Sequence, residues 1–436
     1  MQYYIVFALV ILLMLGLHWK LRELRYDRWI TWLIYGTPAF LIVVMNLYFG
    51  MSDSYIKAWD FINGYYSAGV MVFNGASSEL YSRETPTAVG GYVNIPIFAL
   101  LFLPFAALTK IQAFIVFSFL GLSAILLAGH FLSKGCTYQQ KLSITLLFMV
   151  SGPLPYSLTL GNVTHFLLLP LLAIFYWSQT RRDFGMGAIL AVSVLTKPFL
   201  LLFGIYFVAR KRWKVLVGLV MTLAVIFGLS LYLFGIGLHV EWLEHLNQLG
   251  SKPLSGYNNQ SPNGFLARLL LNPDLSLWSA QEVNWQFGIA RHALLGLLVG
   301  LVTVVFLRAG APRTPEEQNL ELSIILCLAI IIAPISWSHY YLLLLIPYSL
   351  YITDRLAIPK KGTWFNLMLF SMVLTSAPVI SPMRMAHHPI LKYWYSKVFI
   401  SHYFFGGILL LGILLAGRTA KDSQADFDCG TSKCQS

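Results

Sequence analysis

Charge is what this sequence has least of. Only 11% of its 436 residues are Asp, Glu, Lys or Arg, whereas 57% are hydrophobic. A soluble globular domain carries about a quarter charged residues, so that class is excluded. Apolar runs close to the ~20 residues that cross a bilayer as helix recur from end to end. The alternating strands of roughly ten residues that mark a membrane barrel are missing. In a bilayer, helices remain, because backbone polar groups must be satisfied within the segment. The fold class is therefore all-α: a polytopic integral membrane protein.

Other absences narrow function. The chain lacks a glycine-rich phosphate loop ending in Gly-Lys-Ser/Thr, a Gly-x-Gly-x-x-Gly nucleotide fingerprint and a His-Glu-x-x-His zinc site. A nucleotide-consuming pump is thereby disfavoured. Four cysteines are present: Cys136 and Cys327 in or beside apolar runs, Cys429 and Cys434 in the polar tail without histidine partners. No carboxylates cluster at ligand spacing, so neither a metal nor a cofactor is expected. The net charge of +12 suggests nucleic acid, yet its excess sits in short loops beside apolar runs. Lys20–Arg28, Arg210–Lys214, Arg308 and Arg313, Arg355–Lys361, and Arg418 with Lys421 follow the positive-inside pattern of cytoplasmic loops. No nucleic-acid partner is expected, since no recognition module accompanies the charge.

The run 2–18 has no basic residues before it and Lys20–Arg28 after it, the reverse of a cleaved signal peptide. It reads as a retained helix with its N-terminus outside, followed by a second helix at 29–50. Further spans are expected at 96–109, 112–132, 142–160, 161–178, 184–197, 198–209, 215–236, 289–308, 321–338, 339–353, 364–381 and 398–417. That gives about 11–13 crossings. Some are short, since a 14-residue helix covers only about 21 Å. Gly161 and Pro198 interrupt longer runs, as in broken or re-entrant helices. Crossing at every run would leave the basic C-terminus outside, so one stretch within 142–178 is expected not to cross. The two large polar loops, 51–95 and 237–288, then share the extracytoplasmic side. Residues 1–420 are expected to form one membrane domain, in the plasma (inner) membrane, and 421–436 a polar, disordered cytoplasmic tail. The oligomeric state is not legible.

A chain so poor in charge has few places for a carboxylate, which singles out the first loop. Asp60 lies in an amphipathic, aromatic stretch that can lie at the membrane surface. There a carboxylate could take a proton from a hydroxyl, or simply be a solvated loop acid; Asp53 is its alternative. His339, flanked by Trp337, Tyr340 and Tyr341, could meet a phosphate or sugar hydroxyl, or belong to an aromatic belt. Lys197, before Pro198, suits an anionic ligand or a snorkelling helix end. Arg268 carries a guanidinium that pairs well with phosphate. Asn162 and Asn259 fall in Asn-x-Ser/Thr sequons by coincidence.

These segments resemble glycosyltransferase family eighty-seven from about residue 55 to 350. The likeness rests on Asp60, Tyr65, Tyr66, Gly75 and Leu80-Tyr81, then on Tyr92-Val-Asn-Ile-Pro96 leading to Leu103-Pro104. It continues through Gly161-Asn-Val, Lys197-Pro198, Asn259-Gln-Ser-Pro-Asn-Gly264 with Arg268, and Pro334-Ile-Ser-Trp-Ser-His339-Tyr340. The family's usual Gly-Gln-Val-Asn element is Gly161-Asn162-Val163-Thr164 here. The Asp60-to-aromatic spacing is one residue longer, which keeps Asp53 open.

The resemblance implies a GT-C fold and an inverting transfer of a hexose, mannose above all, or a pentose from a polyprenyl-phosphate donor. The acceptor would be a hydroxyl of a glycan or glycolipid of the cell envelope, and membrane lipids would surround the site. It implies Asp60 as base and His339 beside the donor. Lys197, Asn259, Gln260, Ser261, Arg268, Trp337, Tyr65 and Tyr66 would bind substrate. A transporter or flippase of a lipid-linked sugar or other anion fits the broken helices and the intramembrane lysine too.

Overall fold

The computed structural model describes residues 58–81, 91–382 and 389–432. The expected helices at 2–18 and 29–50, together with Asp53 and Cys434, lie outside them. The described residues are helical, with two isolated bridges, Leu254 to Ala280 and Asn259 to Trp337, in place of any sheet. Among the described residues five helices are long and apolar enough to cross a bilayer: Lys110–Ser133, Val163–Thr180, Trp213–Gly250, Trp285–Arg308 and Pro389–Ala420. Tyr138–Val150 and Pro153–Leu160 make a sixth apolar stretch, bent by 53°. Shorter apolar helices are Pro96–Ala106, Asp183–Thr196 and Pro198–Ala209. The bend lies within 142–178, where the charge alternation asked for a stretch that does not cross. The last helix, His402–Ser432, reaches into the polar tail.

Local chemistry explains where helices begin and stop. Thr109 with Gln112, and Thr137 with Gln140, form capping boxes that open Lys110–Ser133 and Tyr138–Val150. The break at Lys197 has a different cause. Proline has no N–H to donate to the carbonyl four residues back, here that of Val194, and with Lys197 extended the last carbonyls of the Asp183–Thr196 helix leave the ladder as well. The Asn94 side chain takes up two of them, donating to the carbonyls of Leu195 and Thr196 at 3.3 and 3.2 Å. Lys197 itself is extended, with φ −140° and ψ 97°.

Small residues let two of these helices meet closely. A Cβ on Gly187 would stand 2.0 Å from the carbonyl oxygen of Val215, and one on Gly218 would stand 2.2 Å from that of Phe184. Asp183–Thr196 and Trp213–Ser251 therefore pack backbone to backbone, the small-residue mode by which helices associate in lipid.

Pro315–Ile332 runs through the centre, every residue from Asn319 to Ile331 buried. Near its start it carries Glu321, wholly buried. Arg210 donates to both carboxylate oxygens (2.5 and 2.9 Å), Arg418 donates at 3.0 Å and the Tyr206 hydroxyl at 3.0 Å. Arg418 also reaches the Gly310 carbonyl, and Asn319 the Arg355 carbonyl. The described basic segments around Arg210, Gly310, Arg355 and Arg418 thus gather at one end of the bundle, while Lys20–Arg28 lies outside the described residues. The far ends of Asp183–Thr196 and Pro315–Ile332, about 20–27 Å away at 1.5 Å per residue, lead to Lys197 and His339.

Removing one partner from a buried ion network leaves the remaining charges uncompensated. Glu321→Ala is expected to destabilise the protein by about 3–5 kcal/mol, read as a lower unfolding temperature in detergent. An unchanged transition would show that the two arginines are solvated without it.

Candidate active site

Asp60 stands at the head of a π-helical turn, Phe61–Tyr66, that continues as the α-helix Ser67–Phe73. Turns of this type recur at functional sites because they re-aim side chains. The turn is anchored through Ala58, whose N–H donates to the Thr159 carbonyl at 2.7 Å and whose own carbonyl accepts from Ile62. Ala58 has φ 55°, a left-handed conformation costly for a residue with a side chain.

The partner of Asp60 comes from the bent apolar stretch. Pro153–Leu160 ends at Gly161, where φ is 67°, a geometry that favours glycine. A Cβ there would also stand 2.4 Å from that of Phe61. The next residue, Asn162, donates through its amide nitrogen to the Asp60 carboxylate at 2.6 Å. The amide cannot turn round, because its oxygen accepts from the Thr164 N–H at 3.0 Å and from the Thr164 hydroxyl at 2.5 Å. Asn162-Val-Thr164 is thus a positioning device, not a glycosylation sequon.

Asp60 and Asn162 line a cavity of about 390 Å³, within the usual range of about 300–1,000 Å³ for small-molecule sites. Lys197, Trp337, His339 and Tyr65 line it as well. Lys197 is buried; its ammonium donates to the Tyr340 hydroxyl at 3.2 Å and lies 4.4 Å from that ring's centre. His339 is buried too, and neither of its ring nitrogens meets a hydrogen-bond partner. A buried imidazole with both nitrogens idle is costly unless a ligand completes it. Trp59 and Trp278 add further aromatic surface.

Burial pushes the Asp60 carboxyl above the usual carboxylate range, while the Asn162 amide and the Lys197 charge pull it back. Desolvation is the largest of the three effects, so the net shift is upward. Among the cavity's described lining residues Asp60 is the sole carboxylate. No three of His, Cys, Asp and Glu come together among the described residues to hold a metal.

Five of the residues singled out in the sequence therefore meet: Asp60, His339, Lys197, Trp337 and Tyr65. Asn259, Gln260 and Ser261 do not line the cavity. They are buried behind it and tie the loop at 256–264 to that at 334–341. Gln260 donates from its backbone to the Ser336 carbonyl at 2.6 Å and from its side chain to the Ile400 carbonyl at 2.9 Å. The Asn259 amide donates to the Leu254 carbonyl, while the Ser261 hydroxyl donates to the Pro334 carbonyl and accepts from Gly264. Tyr66 turns away and donates to the Leu108 carbonyl at 2.8 Å. Arg268 lies elsewhere, its Nε and Nη2 bonded to the Ser401 hydroxyl.

Sequence reasoning missed Asn162, Tyr156, Asn258 and Trp278 as site residues. Trp278 donates to the Asn258 side chain at 2.8 Å and Asn258 to the Tyr156 hydroxyl at 3.0 Å, a relay along the wall facing His339. The Gly161-Asn162-Val163 element was the available signal for the first; nothing local marks the other three.

The family model for glycosyltransferase family 87 matches residues 92–334, more than half of the chain. The chain belongs to that family. The match contains Asn162, Lys197, Asn258 and Trp278, while Asp60 and His339 lie beyond its two ends. A curated relative is the polyprenol-phosphate-mannose-dependent alpha-(1-2)-phosphatidylinositol mannoside mannosyltransferase of Mycolicibacterium smegmatis (strain ATCC 700084 / mc(2)155). It is 27% identical over 194 residues, which cover 43% of this chain and 41% of the relative. The family member described here thus aligns with less than half the length of that relative. No solved structure matches the chain.

If Asn162 holds Asp60 ionised, Asn162→Leu removes a hydrogen bond that favours the charged form and raises the carboxyl further. A base is lost as pH falls through its pKa, so the acid limb of any Asp60-dependent rate moves to higher pH. A hydrogen bond to a charged group is worth about 1.5–3 kcal/mol, so the limb is expected to move up by roughly one to two pH units. An unshifted limb in the pH–rate profile would refute the coupling.

Proposed function

We propose that this family member transfers a sugar, mannose above all, from a polyprenyl-phosphate donor to a hydroxyl of a lipid-linked or envelope glycan. The observation that supports this most directly is one cavity holding a positioned carboxylate, a buried lysine and an unpartnered histidine. These three groups match the three demands of the reaction. Asp60 takes the proton from the acceptor hydroxyl as its oxygen bonds to the anomeric carbon. The bond from that carbon to the phosphate oxygen breaks, and the polyprenyl phosphate leaves with the electron pair. Lys197 faces the negative charge that accumulates on the phosphate, and a fixed charge aimed at developing charge is the strongest catalytic device available to a protein. His339, with its ring nitrogens idle, hydrogen-bonds the donor phosphate or a sugar hydroxyl. Trp337, Trp59 and Trp278 offer apolar faces to the sugar ring.

The single carboxylate among the cavity's described lining residues favours direct displacement with inversion, since a double displacement needs a second group to act as nucleophile. Lys197 also supplies the positive charge that a bound cation would otherwise bring, so we take the transfer to be metal-independent. The cavity lies at the end of the bundle opposite the basic segments, which supports an extracytoplasmic site in the plasma membrane by the positive-inside rule. The relative's printed name, with its polyprenol-phosphate-mannose donor and phosphatidylinositol mannoside acceptor, supports both the donor and a glycolipid acceptor.

The test is transfer from polyprenyl-phosphate mannose to a mannosylated glycolipid by purified protein. Asp60→Asn is expected to lower kcat about 10²–10⁴-fold, the range for loss of a general base, with donor binding retained. Lys197→Met is expected to cost about 10²–10³-fold, and chelation with EDTA to cost nothing. Full activity in Asp60→Asn with loss in Asp53→Asn would move the base outside the described residues. Donor movement across vesicles without transfer would replace the enzyme by a flippase.

A further inference from the structure

A second cavity, of about 530 Å³, opens beside the helix Pro262–Leu270 and shares no lining residue with the first. Arg268 forms its inner wall; Lys392 and Lys397 on the helix Pro389–Lys397 stand at its edge, facing Asp274. Among the described residues three cations thus line the cavity with one carboxylate, and Asp274 is already engaged by the backbone N–H and hydroxyl of Ser276. Arg268 is the anomaly. It is 2% exposed, it forms no ion pair among the described residues, and its Nη1 meets no hydrogen-bond partner. A guanidinium taken out of water without an acid beside it is costly unless a ligand supplies the missing charge.

The rim of this cavity is apolar. Ile390, Tyr393 and Trp394 on one helix and Leu269 with Leu270 on the other are exposed. A short helix that carries lysines beside exposed aromatic residues, as Pro389–Lys397 does with Lys392, Tyr393, Trp394 and Lys397, suits the level of lipid head groups. The last apolar stretch, Pro389–Ala420, begins with that helix. Charge within and hydrocarbon around it is the pattern of an anionic lipid, its phosphate inward and its chains along the rim.

The geometry points to a second binding site, at Arg268, Lys392 and Lys397, for the phosphate of an anionic membrane lipid. Arg268 meets the phosphate through Nη1, as guanidinium groups do with phosphate oxygens, and the two lysines add point charges. The site is separate from the reaction cavity yet adjoins it. Residues 274–276 line the lipid site while Trp278 lines the reaction cavity, and Leu275, Tyr257 and Trp278 pack in one apolar cluster between them. A lipid seated here holds its head group against the wall of the reaction cavity. The inference stands on the cavity and its unpaired arginine, not on the proposed transfer.

The experiment measures binding of soluble short-chain lipids to the purified full-length protein by native mass spectrometry. Dihexanoyl-phosphatidylglycerol is expected to bind saturably. Dihexanoyl-phosphatidylcholine, whose choline opposes the basic residues, is expected to bind about tenfold more weakly or worse. The double variant Lys392→Gln/Lys397→Gln, altered only at the cavity's edge, is expected to lose about tenfold or more in affinity for phosphatidylglycerol. Arg268→Gln should lose at least as much. Asp60→Asn should bind it as the wild type does, which separates this site from the reaction cavity. Equal binding of the two lipids, or unchanged affinity in the lysine double variant, would overturn the site. Displacement of phosphatidylglycerol by an equal concentration of inorganic phosphate would overturn its assignment to a lipid.

Discussion

A carboxylate in an apolar surrounding survives only if something holds its charge, and here that is the hydrogen bond from Asn162 to Asp60. Much of the site follows from it. The Asn162 amide must point one way, which Thr164 enforces from behind. The chain must turn sharply just before it, which Gly161 allows and a side chain at that position would forbid. The π-helical turn must seat against the bent stretch, which the bond from Ala58 to Thr159 secures. Lys197 then faces the same space from the break between two helices and partly offsets the desolvation of the acid.

Much of the fold was legible because bilayer physics is restrictive. A low charge content and repeated apolar runs left only helices, and the breaks at Gly161 and Pro198 showed in the composition of those runs. Chain geometry hid the rest. Asn94 lies far from Lys197 in sequence, so nothing before folding shows that it takes up the carbonyls freed at that break. Asp60, Lys197 and His339 stood out because ionisable groups are rare in this chain. Asn162, Asn258 and Trp278 did not, since Asn and Trp are ordinary in loops and at interfaces and their partners come from distant segments.

The two strongest family-like stretches also show how recognition and role can part. The family resemblance implies Asn259, Gln260 and Ser261 as substrate contacts. Their polarity goes to backbone carbonyls and N–H groups instead, joining two loops that must be irregular to shape a cavity yet cannot leave their hydrogen bonds unmade in so apolar a setting. Arg268 belongs to the same stretch but faces another cavity. Polar residues in a membrane protein are scarce enough to look catalytic when they are scaffolding.

Asp60, Asn162, Lys197 and His339 share one placement: each stands at the margin of a helix or in the gap between two. An insertion within a helix turns everything beyond it by about 100° per residue, given 3.6 residues per turn. A side chain fixed deep within a span would be swung out of place by such a change. One borne at a gap, as Lys197 is in its extended conformation, can be re-aimed by the two soft dihedrals on either side. These four cavity-lining groups are thereby insulated from length changes in the hydrocarbon-spanning parts. A bundle of this design can adapt to membranes of different thickness without rebuilding its chemistry.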